Sequence, residues 1–475
     1  MSDPTPAAGG SNTTLPAASP SPGRGRRSWP GPSGGGEGPA RMRVARRRRA
    51  ALLGAAGALP AALVARAGIV AAGGDGGTGR PGRPGATTGA AGLKRIDPGA
   101  LQAQVAATAR ELLVPGALVL LRTPQGQVTV AYGTTQLGTT RPPRADTRFR
   151  IASVTKTMTA AVILQLAQEG KLRLGDPVSK YVPGVPNGDG ITLAQLLEMR
   201  SGLYSYTDAP ELAAGIDDDP ARVWTPPELL AMAFARPPMF APGAEYYYGN
   251  TNYVLLGLII EQADGRPLAT AFAERLFAPL GLTDTLLPPA TSNAIPEPYS
   301  HGYLYGSSAH VLVGTPPYTP ETAAAARAGT LRPTDYTGIN HSWAHAAGGV
   351  VSTAADLATW MEALVGGRVL DAEYQRVWQD SAQIIDPGNP YSWYGYGIDQ
   401  LRWGPNTVAL HGGQTPGYNS EAAHDPRNAM TLIVWTNLTK SPDERFTAME
   451  LTLDVLDQIY AVPCLLYTSP SPRDS

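Results

Sequence analysis

Thiol chemistry is all but missing from this sequence: 475 residues contain one cysteine, Cys464. It opens the string CLLYTSPSPRD, which looks like a translated transposase sequencing adapter fused to the frame. Residues 464–475 are therefore read as an artefact, with the natural sequence running out near Pro463. The remaining chain has no cysteine, which excludes a disulfide framework and a thiol nucleophile. Lysine is also scarce, with five in all: Lys94, Lys156, Lys171, Lys180 and Lys440. Arginine cannot deprotonate in a protein, whereas a desolvated lysine can. Any lysine inside an apolar helical pattern here therefore raises a chemical question. The six histidines form no HExxH motif and no Cys/His cluster, so neither a metal nor a cofactor is expected. His341 and His345, in HSWAHAAGG, read as unrelated polar positions in a loop entering a strand. From residue 94 on there is no G-x-S-x-G elbow, which disfavours a Ser-His-Asp hydrolase.

A net charge of −1 conceals an asymmetry. Residues 1–93 carry twelve arginines against three acids, and the rest carries 26 basic and 36 acidic groups. A mildly acidic body argues against nucleic-acid binding, which needs a basic face. The basic head has another explanation. Residues 1–41 have a disordered composition and read as an over-called extension. From Met42, MRVARRRRAALLGAAGALPAALVARAGIVAAGG has a basic stretch, an Ala/Leu-rich run and small residues, the grammar of an export signal. Residues 42–72 are thus a cleaved signal peptide or an uncleaved membrane anchor, and the mature protein is expected in the cell envelope or outside the cell. Residues 73–93, rich in Gly, Pro and Thr, read as a flexible linker.

Structured text occupies 94–463. GALVLLRTPQGQVTVAYGTT reads as a hairpin. SVTKTMTAAVILQLAQEG reads as a helix with Ser153 at its N-cap end and Gly170 closing it. Further helices follow in ITLAQLLEMRSGL, TPPELLAMAFA, NYVLLGLIIEQADG and PLATAFAERLFAPLG, then long loops over 286–345 and a helix in AADLATWMEALVGG. Strand patterns return in NTVALHGG, YNSEAAHD and MTLIVWTNL before a last helix, ERFTAMELTLDVLDQIY. The early hairpin and late strands can share one antiparallel sheet only if the middle is an insertion. The expected class is therefore α+β, with helices on the sheet faces and an inserted, mostly helical lobe. The cleft between sheet and lobe is the natural site.

Three motifs carry chemistry. Ser153 and Lys156, in FRIASVTKTMTA, stand one turn apart on one helix face, and no other lysine has a serine three residues before it. A partly desolvated ammonium near a helix N-terminus has a depressed pKa and can take the serine proton. Tyr248-Gly249-Asn250 precedes a helix. A tyrosine there can act as general acid or base, and Asn250 can present its amide to a substrate carbonyl. His411-Gly412-Gly413 follows the strand NTVAL, a cationic or donor group at a strand end with glycines that admit close approach.

In this order the three motifs resemble the serine penicillin-recognising enzymes, and most closely the class C β-lactamase and Streptomyces-type D-alanyl-D-alanine carboxypeptidase branch. The similarity extends to ITLAQLLEMRSGLYSYT, LFAPLGLTDT, SWAHAAGGVVSTAADL, YGYGI and HGGQTPGY, and so covers roughly 95–460. It implies a β-lactamase/transpeptidase-like fold. It implies that Ser153 is acylated, Lys156 assists its deprotonation and Tyr248 relays the proton to the leaving amine and later activates water. Asn250 would hold the substrate amide, and His411 takes the third motif's cation position. The backbone N–H groups of Ser153 and Gln414, beside Gly413, would form the oxyanion hole. Trp343 matches a cleft-wall tryptophan, and Arg402 lies about where the carboxypeptidases hold the substrate carboxylate. One departure stands out: the third motif usually has Thr or Ser where this chain has Gly412. The resemblance implies a D-alanyl-D-alanine carboxypeptidase acting on peptidoglycan-type peptides, with a class C-like β-lactamase or a carboxylesterase as alternatives. A non-catalytic penicillin-binding or sensor module is a further alternative; a lost Ser, Lys or Tyr would signal it, and none is lost.

Overall fold

The computed structural model describes residues 92–461 except 315–316 and 387–388. The extension at 1–41, the export segment at 42–72, nearly all of the linker at 73–93 and the tail at 464–475 lie outside the described residues. Among the described residues no helix is long and apolar enough to cross a membrane.

The hairpin forms as its sequence indicates, with β1 (Gly116–Thr123) paired antiparallel to β2 (Gly126–Gly133). Its partner on the other side comes from the far end of the chain. β1 pairs antiparallel with β8 (Met430–Thr436), so the intervening text is inserted between sheet strands. The full order is β2-β1-β8-β7-β6-β5-β4-β3, with β3 (Gln383–Asp386), β4 (Asn389–Tyr394), β5 (Asp399–Trp403), β6 (Asn406–Thr415) and β7 (Tyr418–Asp425). β3 to β5 were not foreseen from the sequence. β6 is longer than NTVALHGG suggested: it continues through Thr415, so His411 lies inside a strand rather than at its end.

Both faces of the sheet are covered, which explains why β1 and β8 read as nearly continuous apolar runs. Alternate residues serve different cores. Ala117, Val119, Leu121, Leu432 and Val434 pack against α1 (Pro98–Glu111) and the final helix α5 (Thr447–Ile459). Leu118, Leu120, Ile433 and Trp435 face the other way, into the core that holds α2 (Thr155–Gln168), α3 (Asn250–Asp264) and α4 (Ala354–Val365). α1 was missed by the sequence reading although it starts on a strong signal: Asp97 accepts from the Gly99 and Ala100 amides, and Pro98 occupies the first turn.

α2 is the central element. All its residues from Thr155 to Leu164 are buried, together with Leu166 and Ala167. A helix apolar all round belongs in the middle of a core, not on a surface. The inserted lobe adds short helices with their own stop and start signals. Thr192 and Gln195 form a capping box at Leu193–Leu197, and Thr225 and Glu228 form another at Pro226–Phe234. Residues 286–345 are largely loop, with short helices at Ala309–Leu312 and Pro320–Arg327. HSWAHAAGG is not a plain loop: a single 3₁₀ turn, Ser342–Ala344, leads into the short helix His345–Gly348.

Candidate active site

The segment Ile151–Lys156 is held between the sheet and the helical lobe. The chain leaves a two-residue strand pairing of Phe149–Arg150 with Val351–Ser352 and turns at Ala152, a non-glycine residue at φ 47°. Such a left-handed turn is strained for a residue with a side chain and persists only where its surroundings over-determine it. One determinant is β6. A Cβ on Gly413 would stand 2.2 Å from Ile151 O and 2.5 Å from Ser420 Oγ, so only glycine lets β6 approach this closely. Ser153 then falls inside a 3₁₀ turn, Ala152–Val154, and not at the N-cap of α2. That position goes to Val154, which makes no side-chain cap. The Ser153 hydroxyl is therefore not used to cap the helix.

Lys156 is fully buried and makes three hydrogen bonds: to Ser153 Oγ at 2.9 Å, to Asn250 Oδ1 at 2.7 Å and to Ala347 O at 2.7 Å. An ammonium has three N–H groups, so this set accommodates the protonated form. It accommodates the neutral amine equally well. Asn250 Oδ1 and Ala347 O can only accept, so they take its two N–H bonds and leave the lone pair facing the Ser153 hydroxyl. Burial pulls the Lys156 pKa well below the usual value, with buried Asp399 acting in the opposite direction.

Asn250, at the start of α3, is fixed on both sides. Its Nδ2 donates to Thr207 Oγ1 at 2.9 Å and its backbone amide to Ser205 Oγ at 3.0 Å. The Tyr248 hydroxyl is buried with the Ser153 hydroxyl beside it, and Lys156 Nζ lies 4.8 Å from its ring centroid. Burial pushes the phenol pKa well above its usual value, an effect that the Ser153 hydroxyl beside it offsets in part. The tyrosine is thus a held proton, not a phenolate. His411 is also fully buried. Its Nδ1 donates to Gly412 O at 2.7 Å, and its Nε2 accepts from Tyr394 Oη at 3.3 Å. Burial, with the Lys156 charge adding to it, draws its pKa down to about 3. His411 is therefore neutral, with both nitrogens engaged inside the protein, and not the cation expected at this position.

Ser153, Asn250, Trp343 and Gln414 line one narrow pocket, so the structure brings together the residues named from the first, second and third motifs. Tyr206, Val311, Leu312 and Thr415 are among its other wall residues, and no residue lining it carries a formal charge. Trp343 is buried, and its backbone carbonyl accepts from Tyr206 Oη at 2.7 Å. Arg402 is not at this site. It is exposed on β5 with its guanidinium 5.4 Å from the ring centroid of Trp393. It pairs with Thr407, on the sheet face of Gln400 and Ala409, while its strand neighbours Leu401 and Trp403 pack in the core under α1 and α5. Among the described residues no cluster of His, Cys, Asp and Glu could hold a metal.

Sequence reasoning missed two buried acids. Asp399 opens β5, and burial pushes its pKa well up while Lys156 draws it down. Glu421, opposite Gly412 on β7, has both carboxyl oxygens buried and without hydrogen bonds. A Cβ on Gly412 would lie 2.8 Å from Glu421 Oε1. The carboxyl group occupies the space beside the strand, which accounts for glycine where related motifs have Thr or Ser. Neither acid carried a spacing signal, since their proximity to the motifs comes from strand pairing alone.

Comparison with known proteins agrees with this geometry. The family described as Beta-lactamase matches residues 101–457. A D-stereospecific amidohydrolase from Streptomyces sp. superimposes with a TM-score of 0.65 at 32% identity, over 76% of this chain and 98% of that one. The D-alanyl-D-alanine-carboxypeptidase/endopeptidase AmpH of Escherichia coli K12 is 35% identical over 34% of this chain, and the match spans 42% of that protein. Esterase EstB of Burkholderia gladioli is 35% identical over 34% of this chain and 44% of its own length. The sheet with its inserted helical lobe is the β-lactamase/transpeptidase-like fold. The chain belongs to the β-lactamase family, the serine hydrolases that include the penicillin-binding proteins.

Proposed function

We propose that this chain hydrolyses small amides and esters through an acyl-enzyme on Ser153, with D-configured amino-acyl groups as the preferred acyl donors. The observation that carries the reading is the position of Lys156: fully buried, with two fixed acceptors directing its remaining valence at Ser153 Oγ. In the first half-reaction Ser153 Oγ attacks the carbonyl carbon and its proton passes to the neutral Lys156 amine. Tyr248, held protonated beside Ser153, gives its proton to the leaving nitrogen as the C–N bond breaks, and is reprotonated from Lys156. Water then attacks the Ser153 ester by the reverse relay and frees the acid. The Ser153 and Gln414 amides act on the oxyanion, at about 3 kcal/mol for each donor. Trp343, Val311 and Leu312 receive the acyl group's apolar part.

The neutral pocket lining favours a leaving group without charge. A carboxypeptidase must also hold a terminal carboxylate, and Arg402 is exposed and stacked elsewhere. The preference for D configuration rests on the similarity to the Streptomyces amidohydrolase. The carboxypeptidase reading keeps the support of the match to AmpH. The two are separated by offering D-phenylalaninamide, its L enantiomer, a p-nitrophenyl ester and a diacyl-Lys-D-Ala-D-Ala peptide. Faster turnover of the D-amide and the ester than of the peptide supports the amidohydrolase. D-alanine release that outruns every amide overturns it in favour of the carboxypeptidase. We also propose that residues 42–72 direct export, so that the reaction takes place in the cell envelope or outside the cell.

A further inference from the structure

Behind the catalytic segment lies a second cavity of about 190 Å³. Arg150, His341 and His345 line it together with Leu268, Leu287 and Pro288. Arg150 is an unusual wall residue. Only 1% of it is exposed, and among the described residues no carboxylate forms an ion pair with it. Its Nη2 donates to Asn293 O at 2.9 Å and Ile339 O at 3.3 Å, while its buried Nε makes no hydrogen bond. Burial lowers its pKa to about 10, so it remains a cation at neutral pH. Burying an unpaired charge is costly, and buried polar groups normally have partners. Among the described residues Glu261 is the only acid on the cavity wall, and it instead accepts the Leu268 amide at 2.9 Å. His345 adds a second unsatisfied group. Its Nδ1 is buried without a hydrogen bond and faces the backbone of α3 at Gly257.

We propose that this cavity is a second binding site, separate from the catalytic pocket, for a small organic monocarboxylate with an apolar body about the size of a benzene ring. The guanidinium of Arg150 binds the carboxylate, which supplies the missing counter-charge. Leu268, Leu287 and Pro288 enclose the body. The size fits, since an apolar cavity of about 150 Å³ holds benzene. The site borders the catalytic pocket through one short connection. His341 Nε2 accepts from Thr415 Oγ1 at 2.9 Å, and Thr415 lines the catalytic pocket. Trp343, two residues after His341, lines that pocket too, while Ser342 between them faces the second cavity. This inference does not depend on the reaction proposed above.

The test is calorimetric titration of the full chain with sodium benzoate. Three variants locate the site. Ala269→Trp fills the second cavity, Arg150→Lys removes the forked donor, and Leu312→Trp narrows the catalytic pocket instead. The expected result is one saturable site in the parent and in Leu312→Trp, with at least a tenfold weaker affinity in Arg150→Lys and in Ala269→Trp. If Arg150→Lys does not fold, Ala269→Trp decides alone, because Ala269 lines the cavity and makes none of the hydrogen bonds that hold Arg150. Absence of saturable binding overturns the proposal, as does binding that survives Ala269→Trp or is lost in Leu312→Trp alone. A potassium chloride titration forms the last arm: chloride binding as tightly as benzoate overturns the assignment to an organic carboxylate.

Discussion

Replacing Gly413 by alanine tests how tightly β6 braces the nucleophile. The added Cβ would stand 2.2 Å from Ile151 O, 2.5 Å from Ser420 Oγ and 3.1 Å from Ile151 C. Ser420 can rotate away, but Ile151 O is backbone and sits two residues before Ser153. A comfortable carbon–oxygen contact is roughly 3.2 Å, so strand and segment must part by about 1 Å. Overpacking of this kind costs about 1–3 kcal/mol of stability. Its effect on catalysis is larger in proportion, because a misplacement of about 1 Å at the reacting group costs on the order of 100-fold in rate. Gly412→Ala is the matched control. The three atoms nearest its Cβ all belong to the Glu421 carboxyl, at 2.8, 3.1 and 3.3 Å, the far end of a flexible side chain. The assay is kcat/KM on a p-nitrophenyl ester alongside a thermal melt. We expect Gly413→Ala to lose about 100-fold in kcat/KM while still melting cooperatively, and Gly412→Ala to lose less than tenfold. A folded Gly413→Ala protein with undiminished kcat/KM refutes the bracing argument.

Other consequences follow from the charges. Lys156 must be neutral to accept the Ser153 proton, and its pKa is depressed. The rate therefore rises with pH and levels off below pH 10.5, the ordinary lysine value. Asp399 pulls the Lys156 pKa up, so Asp399→Asn shifts the acid limb of the kcat/KM profile to lower pH; a shift to higher pH contradicts the electrostatic assignment. His345 is buried as the neutral ring, with its pKa lowered from 6.5 to about 4. The unfolded chain binds that proton first as pH falls, so stability is lost between pH 6.5 and about 4, by at most about 3 kcal/mol for this group. Denaturant midpoints across this window should fall less steeply in His345→Leu than in the parent. Trp343→Ala should raise KM for a D-phenylalanine ester about tenfold or more with a smaller change in kcat, since Trp343 lines the pocket without contacting the Lys156 amine. Export is checked by fractionating a bacterial host that expresses the chain with and without residues 42–72; the deletion should retain the protein in the cytoplasm.

Legibility followed the range of the signal. Elements marked by local chemistry were readable: the β1–β2 hairpin, α3, α4 and α5 each carry their own periodicity and turn residues. The β3–β5 strands were not, because a Pro/Tyr/Gly-rich stretch borrows its pairing from β6. At the site, Ser153 and Lys156 are three residues apart and announce themselves. Asn250 was readable as a site residue, but its grip on Lys156 was not, because that contact joins helices 94 residues apart in sequence. His411 illustrates a different failure. A histidine after a strand pattern suggests a solvent-facing cation, yet the strand continues and burial leaves the ring neutral. Arg402 stands on β5 opposite Thr407, four residues before His411 on β6, so the right strand face still leaves it away from the motif. Asp399 and Glu421 lie on the same sheet as the third motif, and only the register reveals them.

The central claim is that Ser153 becomes covalently acylated with help from Lys156. Intact-mass spectrometry of protein quenched in acid after mixing with a fluorescent penicillin tests it directly. The account predicts one added acyl mass, mapped by peptide digestion to Ser153, that is absent from Ser153→Ala and formed at least 1,000-fold more slowly in Lys156→Met, as expected on loss of a proton acceptor together with the alignment of the nucleophile. An adduct of equal yield in Ser153→Ala, or on another residue of the parent, contradicts it.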